Sequence, residues 1–131
     1  MPRLPKPKAK LPHRFVLDAL ASANPEVRRC LCVAARLDHN PGIRMKAIEA
    51  LQGFEQDPAV RQTILNALQT DNNSGVRVEA INLIVRALQS NNGSVAPDPQ
   101  ILEVLRDRLR NDPNNYVRMQ SATALRELGA Q

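Results

Sequence analysis

The chain has 131 residues, 43% of them hydrophobic and only three of them aromatic, and its formal net charge is +5. This length suits one domain, and a core with so few rings must consist of Leu, Ile, Val and Ala, which favours packed helices. No apolar run approaches the roughly 20 residues of a transmembrane helix, and the N-terminus lacks the apolar stretch of a signal peptide. We therefore expect an all-α protein that does not insert into a membrane; a cytoplasmic location is favoured.

The basic excess lies at the N-terminus, where residues 1–14 contain five Lys and Arg residues and no acidic residue. Residues 15–131 contain thirteen basic and thirteen acidic residues, so this part is neutral. Residues 1–12 contain four prolines, which predicts a flexible Pro/Lys-rich tail or linker. The alternative is a phosphate-binding arm with Lys6, Lys8 and Lys10, which would make the protein a nucleic-acid-binding module.

The next segment, "HRFVLDALAS" at residues 13–22, predicts a helix with Phe15, Val16, Ala19 and Leu20 on its apolar side. This helix would be half a repeat or an N-terminal cap of the domain that we predict for residues 13–131.

Three heptapeptides then share one pattern: "DHNPGIR" at 38–44, "DNNSGVR" at 71–77 and "DPNNYVR" at 112–118. Their apolar sixth residues are 33 and 41 positions apart, and a second motif precedes each at a constant distance, as "NPEVR", "DPAVR" and "DPQIL". The sequence therefore predicts three units of two helices, repeat 1 at 24–54, repeat 2 at 57–89 and repeat 3 at 98–128. A polar loop at 90–97 accounts for the longer spacing, either as a tolerated enlargement or as a binding loop.

Both helices of each unit have predictable starts. The first helices follow the N-cap residues Asn24, Asp57 and Asp98, each with proline next, and the second helices follow Asn40, Asn73 and Asn114. Helical spacing places a stripe of each second helix toward the core. These stripes are Ile43, Ala47, Ala50, Leu51 and Phe54; Val76, Ala80, Leu83, Ile84 and Ala87; and Val117, Ser121, Ala124, Leu125 and Leu128.

Residues with catalytic or metal-binding chemistry are few. Cys30 and Cys32 lie two positions apart on one predicted helix and cannot bridge easily; we expect Cys30 to be a small buried residue. The two histidines belong to no ligand cluster, and His39 is expected in a solvated turn. We therefore predict no enzyme activity, no cofactor and no metal.

The Asp and Arg of each heptapeptide, with the runs "RMKAIEAL" and "RMQSATALREL" that follow, resemble HEAT repeats over residues 24–128. The closest similarity is to the short bacterial type that is also found in phycobilin lyases. The resemblance implies an armadillo-like α-solenoid, a right-handed superhelix of about three antiparallel helix pairs plus one preceding helix, about seven helices in all. It also implies a buried structural ladder of Asp38, Arg44, Asp71, Arg77, Asp112 and Arg118. The alternative is that these arginines bind phosphates.

The resemblance further implies that second helices line the concave side of the array and bind partners there. The candidate residues are Met45, Ile48, Glu49, Gln52, Val78, Ile81, Asn82, Val85, Met119, Ala122, Thr123 and Arg126. The alternative is that Met45, Val78 and Met119 are peripheral core residues. We predict a non-catalytic scaffold that binds a protein or peptide within a larger bacterial, anti-sigma-factor-like protein; the oligomeric state stays open.

Overall fold

The structure is a computed structural model that describes residues 24–90 and 98–129. The predicted tail (1–12), the predicted helix 13–22 and nearly all of the predicted loop 90–97 lie outside the described residues. The described residues form six α-helices and no β-strand. They are α1 (Pro25–Leu37), α2 (Pro41–Ala50), α3 (Pro58–Thr70), α4 (Ser74–Ser90), α5 (Pro99–Asn111) and α6 (Asn115–Glu127).

Local capping explains where these helices begin. The side chains of Asn24, Asp57 and Asp98 accept hydrogen bonds from the backbone N–H two residues later, at 2.8, 2.9 and 2.9 Å. Proline follows each cap, where its missing N–H leaves no helical hydrogen bond unmade. Asn40 and Asn73 cap the second helices in the same way at 2.8 Å. The six predicted helix starts that fall within the described residues are confirmed.

The helices form two layers. Within each unit the two helices pack together, as α1 with α2, α3 with α4 and α5 with α6. Between units, the first helices α1, α3 and α5 pack in sequence, and the second helices α2, α4 and α6 do the same. This arrangement is an all-α solenoid, in which each unit buries its apolar faces against its neighbours.

The core lies between the two layers and is aliphatic. Val76 and Val117 are fully buried, whereas Ile43, at the equivalent position of unit 1, is 45% exposed. The prediction of Ile43 as a core residue is wrong, because α4 and α6 each lie beside a preceding second helix. By contrast, no second helix precedes α2 within the described residues. Phe54, Ala87 and Leu128 are half-buried at the ends of their stripes.

The cysteines also differ from expectation. Cys30 is exposed and Cys32 is buried, so the prediction of a buried Cys30 is wrong. Thr63, the equivalent of Cys30 in unit 2, is 2% exposed. The difference follows position in the stack, since α3 has α1 on one side and α5 on the other, whereas among the described helices of this layer α1 packs against α3 alone.

Candidate interaction surfaces

The start of each second helix contains an arginine that reaches the next unit. Arg44 donates from Nε and Nη2 to the carboxylate of Asp71 at 2.9 and 3.0 Å, and from Nη1 to the carbonyl oxygen of Asp38 at 2.8 Å. Arg77 donates in the same way to Asp112, at 2.9 and 3.2 Å, and to the carbonyl oxygen of Asp71 at 2.9 Å. Each guanidinium therefore joins its own turn to the turn of the following unit.

Asp112 is enclosed by more donors than its counterpart Asp71. It is 1% exposed and also accepts hydrogen bonds from Arg108 Nη1 at 3.2 Å and from the backbone N–H of Asn114 at 2.9 Å. Burial raises the pKa of Asp112, but the bond from Arg77, the backbone N–H and the two positive charges together outweigh burial. The pKa of Asp112 therefore lies below its ordinary value.

Asp38 and Arg118, the first and last residues of the predicted Asp/Arg ladder, form no pair between units within the described residues. Arg118 donates to the carbonyl oxygen of Asp112 at 2.6 Å and to Asn115 Oδ1 at 3.1 Å. Asp38 Oδ1 accepts from the backbone N–H of Asn40 at 2.9 Å. The structure thus brings four of the six predicted residues into two pairs and leaves Asp38 and Arg118 in local contacts.

Three residues predicted to contact a partner are inaccessible. Ile48 and Ile81 have 0% of their surface exposed, and Val85 has 7%. All three belong to the apolar core, so the prediction that they line a binding surface is wrong. Ile48 lies on α2, which packs against α1 and α4, and Ile81 and Val85 lie on α4, which packs against α2, α3 and α6. These neighbours bury a wider arc of each helix than the predicted stripe.

The other predicted partner-binding residues remain accessible in varying degree, and we call the surface that they form the second-helix face. Met119 is 61% exposed, Arg126 is exposed, and the others are half-buried. This face consists of Met45, Glu49, Gln52, Val78, Asn82, Met119, Ala122, Thr123 and Arg126. Met45 packs on the start of α4, because a Cβ at Gly75 would lie only 3.2 Å from Met45 Sδ.

A tyrosine that the sequence analysis did not select lies beside this face. Tyr116 is 42% exposed, and its hydroxyl donates to Asn82 Oδ1 at 2.8 Å and accepts from Gln120 Nε2 at 3.0 Å. The bond to Asn82 links α6 to α4. The signal was available in the sequence, since Tyr116 occupies the place that glycine occupies in the other two units.

At the opposite end of the helices, the connection between units 1 and 2 forms a cluster of an aromatic ring, an arginine and a carboxylate. Three residues after the end of α2, Gly53 adopts a left-handed φ of 92°, which turns the chain toward α3. Phe54 then lies under Arg28, whose Cζ is 5.2 Å from the ring centroid. The Nε of Arg28 is also 3.5 Å from Asp57 Oδ2. One guanidinium therefore meets an aromatic ring and a carboxylate.

The corresponding end of the junction between units 2 and 3 is open. A pocket of about 90 Å³ lies there between α3, α4 and α5. Its apolar wall consists of Ile64, Leu65, Ile84, Ala87, Leu88 and Ile101. Arg61 and the connection after α2 supply the polar part of the lining.

Neither metal-binding nor membrane-spanning features occur in residues 24–90 and 98–129. No group of three or more His, Cys, Asp and Glu side chains there could hold a metal ion. None of the six helices is both long and apolar enough to cross a bilayer.

Comparison with known proteins agrees with this architecture. A family model described as HEAT repeats matches residues 6–85, which is more than half of the chain, and ends within α4. Neither a curated protein nor a solved structure matches the chain. HEAT repeats are in general scaffold modules for protein interactions and are typically non-catalytic. With its paired helices stacked in two layers, the chain belongs to the HEAT repeat family.

Proposed function

We propose that the protein is a non-catalytic interaction module that binds a protein or peptide on its second-helix face. The observation that carries this proposal is a row of apolar residues at one repeated position, Met45, Val78 and Met119, which ends in a methionine that is 61% exposed. Methionine is flexible and polarizable, so it adapts to the shape of a partner. The larger anti-sigma-factor-like setting in a bacterium stays a prediction from the resemblance alone.

The polar neighbours of this row give the surface a second property. Tyr116 presents an apolar ring with a hydroxyl that is already held between Asn82 and Gln120. A tyrosine fixed in this way loses little side-chain entropy on binding, and tyrosines are enriched where interfaces are strongest. Met119 thus supplies a flexible apolar side chain and Tyr116 a rigid one, and both lie on α6.

The arginines of the repeated heptapeptides support this function only indirectly. Arg44 and Arg77 are 8% and 6% exposed, and each forms two hydrogen bonds with a carboxylate. Their donors bond the carboxylate of the neighbouring unit and a carbonyl oxygen of their own turn, which argues against phosphate binding by these two residues. Their contribution is to hold the spacing of the second helices and thus the shape of the face.

The test is affinity capture from a nuclease-treated lysate with the wild-type chain, a Met119→Asp variant and a matched Val33→Asp control. Val33 is 55% exposed on α1, so its substitution adds the same charge to the other layer. We expect Met119→Asp to lose a captured protein that the wild type and Val33→Asp retain. Equal retention by both variants would exclude the second-helix face.

A deletion of residues 1–12 completes the test, because it separates this function from nucleic-acid binding. If capture disappears with the deletion or with nuclease, Lys6, Lys8 and Lys10 provide the contact instead. Such binding would also weaken steeply with salt, since each phosphate contact releases counterions.

A further inference from the structure

The pocket beside α4 has a counterpart one unit earlier, and a side chain fills that counterpart. Arg61 and Ala87 both line this pocket, and they lie 33 residues after Arg28 and Phe54. In unit 1 that pair is in contact, with the guanidinium carbon 5.2 Å from the ring centroid. The pocket therefore occupies the place in unit 2 that the Phe54 ring occupies in unit 1.

A single difference in the chain explains why the space is open. α2 ends at Ala50, so Phe54 follows the turn at Gly53, whereas Arg86, the counterpart of Gly53, lies within α4, which continues to Ser90. Ala87 therefore presents only a methyl group where the first junction has a ring. Apolar voids of this kind bind apolar ligands, because water in them finds few hydrogen-bonding partners.

Arg61 differs from its counterpart Arg28 in the partners of its guanidinium. Arg28 meets the Phe54 ring and lies 3.5 Å from the carboxylate of Asp57. The side chain of Arg61 has no hydrogen bond or ion pair within residues 24–90 and 98–129, whereas its backbone N–H donates to the carbonyl oxygen of Asp57 at 3.0 Å. Asp98, the counterpart of Asp57, caps α5 as Asp57 caps α3, but it forms no ion pair with Arg61 among the described residues. Glu55 also lines the pocket, but its carboxylate accepts a hydrogen bond from the backbone N–H of Gly53 at 3.0 Å and forms no ion pair with Arg61 among the described residues. Arg61 thus borders an apolar pocket without the ring and the ion pair that its counterpart has.

We propose that this pocket binds an aromatic side chain of a partner peptide that carries a carboxylate three residues later. The ring contacts Ile64, Ile84 and Ile101, its face meets the guanidinium of Arg61, and the carboxylate pairs with the same guanidinium. The segment Phe54–Asp57 has this spacing and serves as the internal precedent. The site deepens the proposed interaction function but uses a surface separate from the second-helix face.

The test uses the full chain with labelled Ile δ1 methyl groups and a peptide of the sequence QGFEQDP, which corresponds to residues 52–58. A ring that enters the pocket shifts the NMR signals of Ile64, Ile84 and Ile101. Because the contact consists of one ring and one ion pair, we expect a dissociation constant on the order of 1 mM. A peptide with Ala in place of Phe is expected to bind at least about tenfold more weakly, because the apolar area of the ring is lost.

Two variants of the protein define the site. Ala87→Phe supplies the ring internally and is expected to abolish the shifts. If this variant does not fold, Arg61→Gln, on a half-buried surface residue, is expected to weaken binding about three- to fivefold. Met119→Asp is expected to leave the shifts unchanged, so that failure of the second-helix face and failure of the pocket remain distinguishable.

Several outcomes would overturn the proposal. Shifts that depend on protein concentration without peptide would identify a second copy of the chain as the occupant. An absence of shifts at the three pocket isoleucines, or equal shifts with the Ala peptide, would show that the pocket does not recognise an aromatic ring.

Discussion

The two junctions of the stack distribute their contacts differently. At the junction of units 1 and 2, Arg44 pairs with Asp71 at one end of the helices, and Phe54 fills the other end beneath Arg28. The junction of units 2 and 3 has a more enclosed pair, Arg77 with Asp112, but a pocket at the opposite end. Both junctions stack their helices in the same way and have an Arg–Asp pair at one end. They differ in which end is better filled, because a ring fills the opposite end of the first junction and a pocket lies at the opposite end of the second.

Additional polar bridges accompany the second pair. Gln69 Nε2 donates to Asp107 Oδ2 at 2.7 Å, which links α3 to α5. Arg108 bonds both Asp107 and Asp112. Hydrogen bonds from Arg108, Gln69 and Asn111 lower the pKa of Asp107 to about 2. The absence of a Phe54 equivalent is therefore matched by more hydrogen bonds at the other end.

The largest effect that would sharpen this comparison is expected from Asp112→Ala. Removal of one member of a buried pair leaves Arg77 buried with an uncompensated charge, and we expect a loss of about 3–5 kcal/mol in the free energy of unfolding. Asp71→Ala at the first junction is expected to cost about 2 kcal/mol, because Asp71 is less enclosed. Urea denaturation of both variants measures the difference, and equal losses would contradict the ranking.

The next effect concerns Phe54→Ala, which would convert the first junction into a copy of the second. We expect a loss of about 2 kcal/mol, below the roughly 3–5 kcal/mol of a fully buried ring, because Phe54 is half-buried. Thermal and urea unfolding provide the measurement, with Leu37→Ala as an exposed control on α1. A loss no larger than that of the control would show that the ring does not stabilise this junction.

Acid should weaken the second junction. The pKa of Asp112 is lower in the folded protein than the roughly 3.9 of an unfolded Asp, so its contribution is fully present above that value. The contribution is lost as the pH falls through the folded pKa. Unfolding free energies measured from about pH 5 downward should therefore decline less steeply in Asp112→Asn than in the wild type. Parallel curves would mean that Asp112 does not control the acid response.

The smallest effect is expected from Met119→Asp, which should change the unfolding free energy by at most about 0.5 kcal/mol. Its side chain is 61% exposed, so little apolar contact is lost. Val78→Asp at the equivalent position should cost more, because Val78 packs against the core. A loss at Met119 as large as that at Val78 would identify Met119 as a core residue and remove the basis for the second-helix face.

The sequence by itself determined the helix starts and the two-helix unit, and its resemblance to HEAT repeats implied the α-solenoid. The helix starts depend on groups close together in the chain, since an Asn or Asp cap bonds backbone N–H groups only two or three residues away. Only the tertiary structure decided that Ile43 and Cys30 are accessible while Ile48, Ile81 and Val85 are buried. It also decided that Arg61 borders a pocket, whereas Arg28 covers a ring. Helical spacing fixes the side of a helix on which a residue lies, but burial depends on how many neighbouring helices cover that side, and these neighbours are distant in the chain.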